Sequence, residues 1–245
     1  MKVLITRPEE QAKQLAVSLK KHNISSICFP VIAIVEPTDI KVLRQVSKNI
    51  NSFDILIFVS PNAAERFLQN LKLDKLDNEI FAVGKGTASV LQQYDIKVTA
   101  YPKHANSEGL LTLPELQIVN KKNIAIFAGE EGKTILQQEL AERGAKVKMI
   151  YTHRRQLPEY KHPLSWSVQS VDVSICTSLS GLSNFRTIIA GCALEALLKK
   201  PLLVITDEMK VVAQYLGFKS VIILAKGASN QQIVSALEAY SLTRK

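Results

Sequence analysis

Long apolar runs are missing from this 245-residue chain, and no segment approaches the roughly 18 consecutive apolar residues of a membrane-spanning helix. The start, Met1-Lys-Val-Leu-Ile-Thr-Arg-Pro, turns polar after a short apolar stretch. A secretory signal needs a longer apolar region and a small-residue cleavage site, so a cytoplasmic location with no membrane partner is expected. Cysteine is scarce. Cys28, Cys176 and Cys192 are widely separated and form no CxxC pair, and they read as small buried hydrophobes. The four histidines, His22, His104, His153 and His162, fall in no metal-ligand spacing, so no metal and no ligand role is assigned to them. Aromatic residues make up only 6%, and the basic clusters, such as Lys20-Lys21 and Arg154-Arg155, are two residues long. That pattern gives no stacking platform for nucleic acid.

Positive charge, by contrast, is in excess: 31 Lys and Arg face 22 Asp and Glu, a net charge of +9. Such a balance suits a polyanionic partner, a nucleotide or a polycarboxylate among them, and equally suits a basic surface that aids solubility. Apolar content of 47% is ordinary globular usage, and the length allows one large α/β domain or two small ones.

Short apolar runs alternate with helical patterns along the whole chain. Val3-Leu-Ile-Thr, Asp54-Ile-Leu-Ile-Phe-Val, Ile80-Phe-Ala-Val and Asn123-Ile-Ala-Ile-Phe-Ala read as strands, as do Val171-Asp-Val-Ser-Ile-Cys and Leu202-Leu-Val-Ile-Thr. Ser26 to Ile34 reads as one further strand. Helices are expected at about 9–21, 62–71, 86–94, 107–116, 133–143, 182–189, 208–216 and from Asn230, with Gly144 as a C-cap. Buried-type strands separated by single helices imply parallel sheets covered on both faces.

The second half repeats the first. Val3 and Leu19 pair with Ile124 and Leu140 at an offset of 121 residues. Asp54, Ser60 and Phe67 pair with Asp172, Ser178 and Phe185 at 118, and Gln92, Lys97 and Ser107 with Gln214, Lys219 and Ser229 at 122. A nearly constant offset argues duplication, and a duplicated α/β unit leaves a cleft between its copies. Two polar, proline-bearing stretches, Val35-Glu-Pro-Thr-Asp and Thr152-His-Arg-Arg-Gln-Leu-Pro, interrupt the rhythm one repeat apart and read as linkers.

Several turns between strand and helix could carry chemistry. Gly129-Glu-Glu-Gly-Lys-Thr lacks the earlier glycine of a Walker A loop, since that position is Phe127; what survives is a helix start with Lys133 beside it, either an anion site or an exposed lysine. Gly84-Lys-Gly-Thr-Ala-Ser has Ser89 at the third glycine position of a dinucleotide fingerprint and offers amides and the Thr87 hydroxyl to some other anion. Ser60-Pro-Asn and Thr177-Ser-Leu-Ser end equivalent strands and either cap helices alone or also face a ligand. Tyr151 ends a strand before the second linker. It is either an amphipathic aromatic at a domain edge or a phenol able to donate to a departing hydroxyl. Local spacing suggests no catalytic triad and no paired carboxylates.

Together these pieces resemble one family. They are Thr6-Arg-Pro, Ile57-Phe-Val-Ser-Pro-Asn-Ala with Phe67, Ala82-Val-Gly-Lys-Gly-Thr-Ala, Ser107-Glu-Gly-Leu and Gly129-Glu-Glu-Gly-Lys with Leu136. Val147-Lys-Met-Ile-Tyr-Thr-His-Arg, Cys176-Thr-Ser and Ser229-Asn-Gln-Gln-Ile-Val complete the set. In order and spacing, the chain is similar to uroporphyrinogen-III synthases along nearly its whole length. The resemblance implies two similar parallel-sheet α/β domains joined by a two-stranded linker, with a cleft between them. Residues 1–34 and 158–245 would form the first domain, 40–152 the second, and 35–39 and 153–157 the linkers. It implies a monomeric, cofactor-free and metal-free enzyme acting on the polycarboxylate hydroxymethylbilane, with transient contact to the preceding synthase and no nucleic acid. Tyr151 would aid departure of the hydroxyl and Thr87 would support it. Arg7, Ser60, Pro61, Asn62, Ser107, Lys133, Thr177 and Ser178 would line the cleft. Met209 departs from the pattern, standing where the second copy's equivalent of Thr87 would carry a hydroxyl. The alternative reading of the same two-lobed architecture is a non-catalytic cytoplasmic binding protein for a small anion.

Overall fold

A computed structural model describes residues 1–69, 76–132, 134–160, 167–192 and 194–243. The chain divides into two compact units, Met1–Ala33 with Gln156–Lys245, and Ile34–Arg155. The first unit begins with β1 (Lys2–Ile5), α1 (Glu9–Lys21) and β2 (Ser25–Cys28). The second contains β3 (Ala33–Val35), α2 (Ile40–Lys48), β4 (Ile55–Phe58), α3 (Pro61–Gln69), β5 (Glu79–Ala82), α4 (Lys85–Gln92), α5 (Ser107–Leu111), β6 (Asn123–Gly129), α6 (Ile135–Glu142) and β7 (Lys146–Gln156). The chain then completes the first unit with β8 (Val173–Ile175), α7 (Leu179–Gly191), β9 (Leu202–Val204), α8 (Asp207–Tyr215), β10 (Ile222–Leu224) and α9 (Asn230–Leu242).

Each unit holds one five-stranded sheet, ordered β10-β9-β8-β1-β2 in the first and β3-β7-β6-β4-β5 in the second. The pairings β2–β1–β8–β9–β10 and β7–β6–β4–β5 are parallel. The duplication is visible here as topology: β2-β1-β8-β9 and β7-β6-β4-β5 are the same arrangement at the sequence offset of about one half-chain. The strand equivalent to β10 survives in the second unit only as a single bridge, Phe81 to Ala100.

Alternation along β4 explains why helices cover both faces. Leu56 and Phe58 pack in a cluster with Leu43, Phe67, Leu91 and Phe127. Ile55 and Ile57 pack on the opposite face with Leu110, Leu136 and Leu140. All four strand residues are buried, so the run is continuously apolar rather than alternating, as a parallel sheet buried on both faces requires. Phe58, Phe67 and Phe127 form a three-ring nucleus, with centroids 4.3 to 5.5 Å apart. In the first unit Val3, Ile5, Val173 and Ile175 pack against Leu15 and Leu19 of α1 and Ile233 and Leu237 of α9.

Three sequence expectations change. The single strand expected over Ser26 to Ile34 is two strands in two different sheets. Phe29 and Val31 still donate to Ile5 O and Thr6 O, but Pro30 has no N–H and the regular ladder ends at Cys28. The helix expected over 107–116 breaks into α5 and a 3-10 turn at Pro114–Leu116, because Pro114 forces Leu113 into an extended conformation. Cys28, expected to be buried, is exposed at the end of the edge strand β2, whereas Cys176 is buried. Helix α2, capped by the Asp39 carboxylate on Lys41 N, begins directly after the stretch read as the first linker, 35–39, in a span for which no helix was expected. Leu71, expected to close α3, lies outside the described residues.

Candidate active site

In the second unit the chain leaves β4 through α3 on one face of the sheet and leaves β6 through α6 on the other. The boundary between β4 and β6 is therefore the topological switch point, and open α/β sheets bind ligands at the carboxyl ends of the strands there. A pocket of about 320 Å³ occupies that position, walled by Val59 and Ser60 after β4, Ala128 and Gly129 at the end of β6 with Glu131 and Gly132 beyond it, and Asn106 to Glu108 at the start of α5. His153 and Arg155 of β7 close it. In the first unit, the same position lies between β1 and β8, where Thr6-Arg7 and Thr177-Ser178 end the two strands.

The turn after β6 is stapled by its own acids. Glu130 accepts from Thr38 Oγ1 at 3.0 Å, and Glu131 accepts from the Arg155 N–H at 2.9 Å. Both carboxylates thus support backbone and side chains of neighbouring segments, and the turn is less suited to a free anion than its sequence suggests. Lys133, the cation expected there, lies outside the described residues.

His153 is 2% exposed and lines the pocket. A bulge between Ala128 and Gly129 pairs Ala128 with Tyr151 and Gly129 with His153, leaving Thr152 as the extra residue. Strand alternation is broken at that point: Thr152 and His153 are consecutive buried residues, while Tyr151 is 38% exposed. Gly129 lies directly against the imidazole, and a Cβ there would sit 2.8 Å from Nε2. Burial, and then the charge of Arg155, push the His153 pKa down to about 4, so the ring is neutral at ordinary pH.

The predicted site residues fall as follows. Ser60 and Ser107 line the pocket. Ser60 Oγ caps α3 by accepting from Ala63 N at 3.0 Å, Pro61 is the exposed first residue of that helix, and Asn62 follows it half-buried. Asn106, rather than Ser107, caps α5, accepting from Gly109 N at 2.7 Å. Ser178 caps α7 through Gly181 N, and Thr177 precedes it half-buried. Arg7 is half-buried and donates to Gln11 and Asn230, and no carboxylate pairs with it among the described residues. Tyr151 lines a separate depression with Thr38, Asp39 and Met149.

Thr87 and Met209 share a place. Each is the third residue of its helix, α4 or α8, and each is 2% exposed. The position is interior in both copies, so a methionine there removes no surface hydroxyl. His153 had no signal in the sequence, since neither metal-ligand spacing nor a catalytic grouping marks it. Its burial comes from the bulge.

Comparison with known proteins places this architecture. Residues 13–234 match the family model for uroporphyrinogen-III synthase HemD. The chain belongs to the uroporphyrinogen-III synthase family. It is 27% identical over 250 residues to the uroporphyrinogen-III synthase of Salmonella typhimurium, covering 97% of this chain and all of that one. The synthase of Escherichia coli is also 27% identical, over 248 residues, with the same coverage. Among solved structures, the Helicobacter pylori uroporphyrinogen-III synthetase superposes with a TM-score of 0.57 at 17% identity, covering all of this chain and 99% of that one. At that identity the likeness concerns the fold. Helices long and apolar enough to cross a membrane are absent among the described residues, as are clusters of metal-ligating side chains.

Proposed function

We propose that this chain is a cofactor-independent hydro-lyase that closes hydroxymethylbilane to uroporphyrinogen III. The family match over residues 13–234 carries this reading. In the proposed reaction, the terminal hydroxymethyl of ring A leaves as water and gives an azafulvene. Ring D attacks through its substituted carbon, passes through a spiro intermediate and reattaches inverted. The protein's task is to fold a flexible chain and stabilise developing charge, which calls for positioned polar groups.

The side chains support distinct parts of that task. Tyr151, exposed at the bulge of β7, carries a phenol able to protonate the departing hydroxyl. Arg7, half-buried without a carboxylate partner, suits a carboxylate of the substrate, and helix starts capped by Ser60 and Ser178 supply further donors. Thr87, buried in the first turn of α4, would serve as a supporting hydroxyl. The net charge of +9 favours attraction of a polycarboxylate. The enzyme would work in the cytoplasm as a monomer and receive its substrate from the preceding synthase.

An isomer assay tests the reading. Hydroxymethylbilane is generated in situ, the protein is added, and the oxidised products are separated as type I and type III uroporphyrin. Conversion from mostly type I to mostly type III is expected. Unchanged type I output from folded protein would refute the catalytic assignment.

A further inference from the structure

The hydrogen bonds around His153 fix its tautomer. Thr152 Oγ1 donates its single proton to Ala128 O at 3.2 Å, and the same oxygen lies 2.9 Å from His153 Nδ1. With the hydroxyl proton committed, Nδ1 must donate to Thr152, which leaves the lone pair on Nε2. Nε2 has no hydrogen-bond partner among the described residues, yet it is not a sealed, unsatisfied atom, and its ring lines the pocket against Gly129. A ring 2% exposed therefore presents a bare acceptor to the pocket at the switch point.

An unpaired acceptor in such a place calls for a donor on the ligand. The wall adds a second constraint, because Glu108 and Glu131 line the pocket with Arg155 as the one guanidinium among the described residues that line it. Glu131 is already engaged with the Arg155 backbone. Two carboxylates and a lone pair repel a carboxylate ligand and favour an N–H. The neutral ring, with its pKa at about 4, keeps the lone pair free at working pH.

We propose that His153 Nε2 accepts a hydrogen bond from one pyrrole N–H of the linear tetrapyrrole, fixing that ring over Gly129 at the end of β6. The assignment rests on the synthase reading and adds which substrate group this pocket takes. The carboxylates of the substrate are left to donors such as Arg7 and the starts of α3 and α7, and His153 selects a pyrrole core by its ring nitrogen.

The test uses bilanes carrying an N-methyl group on one pyrrole at a time, measured as inhibitors of the wild type, His153→Gln and His153→Phe. Glutamine keeps an acceptor near the place of Nε2, whereas phenylalanine keeps the bulk without it. For one of the N-methyl isomers, inhibition of the wild type and the Gln variant should weaken by about tenfold relative to the parent bilane, the effect of losing one hydrogen bond. In the Phe variant that penalty should fall to within about twofold. Should His153→Phe not fold, as judged by its melting transition, Gly129→Ala serves, since its Cβ would displace the ring and abolish the same penalty. Identical N-methyl penalties in all variants would overturn the assignment while type III product from the wild type still upheld the synthase reading. Absence of type III product from the wild type would overturn both.

Discussion

Asp54 and Asp172 make the same pair of hydrogen bonds in the two copies. Asp54 N donates to Asn123 O and its carboxylate accepts from Asn123 N at 2.7 Å. Asp172 N donates to Lys2 O and its carboxylate accepts from Lys2 N at 2.8 Å. Each aspartate therefore fixes where the central strands β4 and β6, or β8 and β1, begin to pair. Replacement by alanine should cost about 1–2 kcal/mol in urea unfolding, more at Asp172, whose bond is partly buried, than at exposed Asp54. Asparagine keeps an acceptor and should lose less than half as much. Equal stability of the alanine variants and the wild type would remove the clamp from the account of register.

A second prediction concerns acid. His153 takes its proton near pH 4 in the fold and near 6.5 in the unfolded chain. Burial is the chief cause, followed by Arg155; Arg66 acts in the same direction, and Glu131 and Glu130 oppose it. Between those two pH values the unfolded chain binds more protons, so acid favours unfolding. The contribution is whole above about pH 6.5 and drains away as pH falls to about 4. Melting temperatures at pH 7 and pH 4.5 should therefore diverge more for the wild type than for His153→Gln. Parallel declines would mean that the imidazole is not held neutral.

The fold was readable in the sequence because its signals are local and repeated. Runs such as Ile55-Leu-Ile-Phe are short, rich in β-branched and aromatic residues and continuously apolar, as a strand buried on both faces is, and the offset between Phe67 and Phe185 exposes the duplication directly. What escaped depends on partners far away in the chain. The apolar run from Ser26 to Ile34 carries no mark that its two ends join different sheets; that is decided by pairing with β1 at one end and lying beside β7 at the other. The pocket residue His153 escaped for a related reason. Regular alternation would put it on the same side as Tyr151, and only the bulge opposite Gly129 turns it inward.

The two helix ends closed by glycine should respond unequally to substitution. Gly144, at φ +86°, follows α6, and Gly217, at φ +92°, follows α8. Both allow the chain to reverse, Ala145 N reaching Leu140 O and Phe218 N reaching Ala213 O. A Cβ at Gly144 would also lie 2.6 Å from Asn120 Oδ1, whereas at Gly217 it would meet nothing within 4 Å. Gly217→Ala should thus cost only the left-handed backbone penalty, about 1 kcal/mol, and Gly144→Ala clearly more. Thermal or urea unfolding of both variants measures the difference. The reverse order would show that Asn120 yields easily and that backbone strain alone sets the cost.

Tyr151 offers the most direct view of the chemistry. Its ring is 38% exposed, so it contributes little to the core, and Tyr151→Phe removes one hydroxyl while leaving the packing of β7 intact. If the phenol protonates the leaving hydroxyl, its loss should lower kcat by about a hundredfold or more, as for other general acids, with KM little changed. Type III selectivity should persist among the remaining turnovers, because ring D inversion depends on how the substrate is folded rather than on the proton donor. A rise in KM with kcat preserved would instead place the phenol among the groups that hold the substrate. Unchanged turnover would remove Tyr151 from the mechanism and direct attention to the other hydroxyls at the strand ends, Ser60 and Thr177.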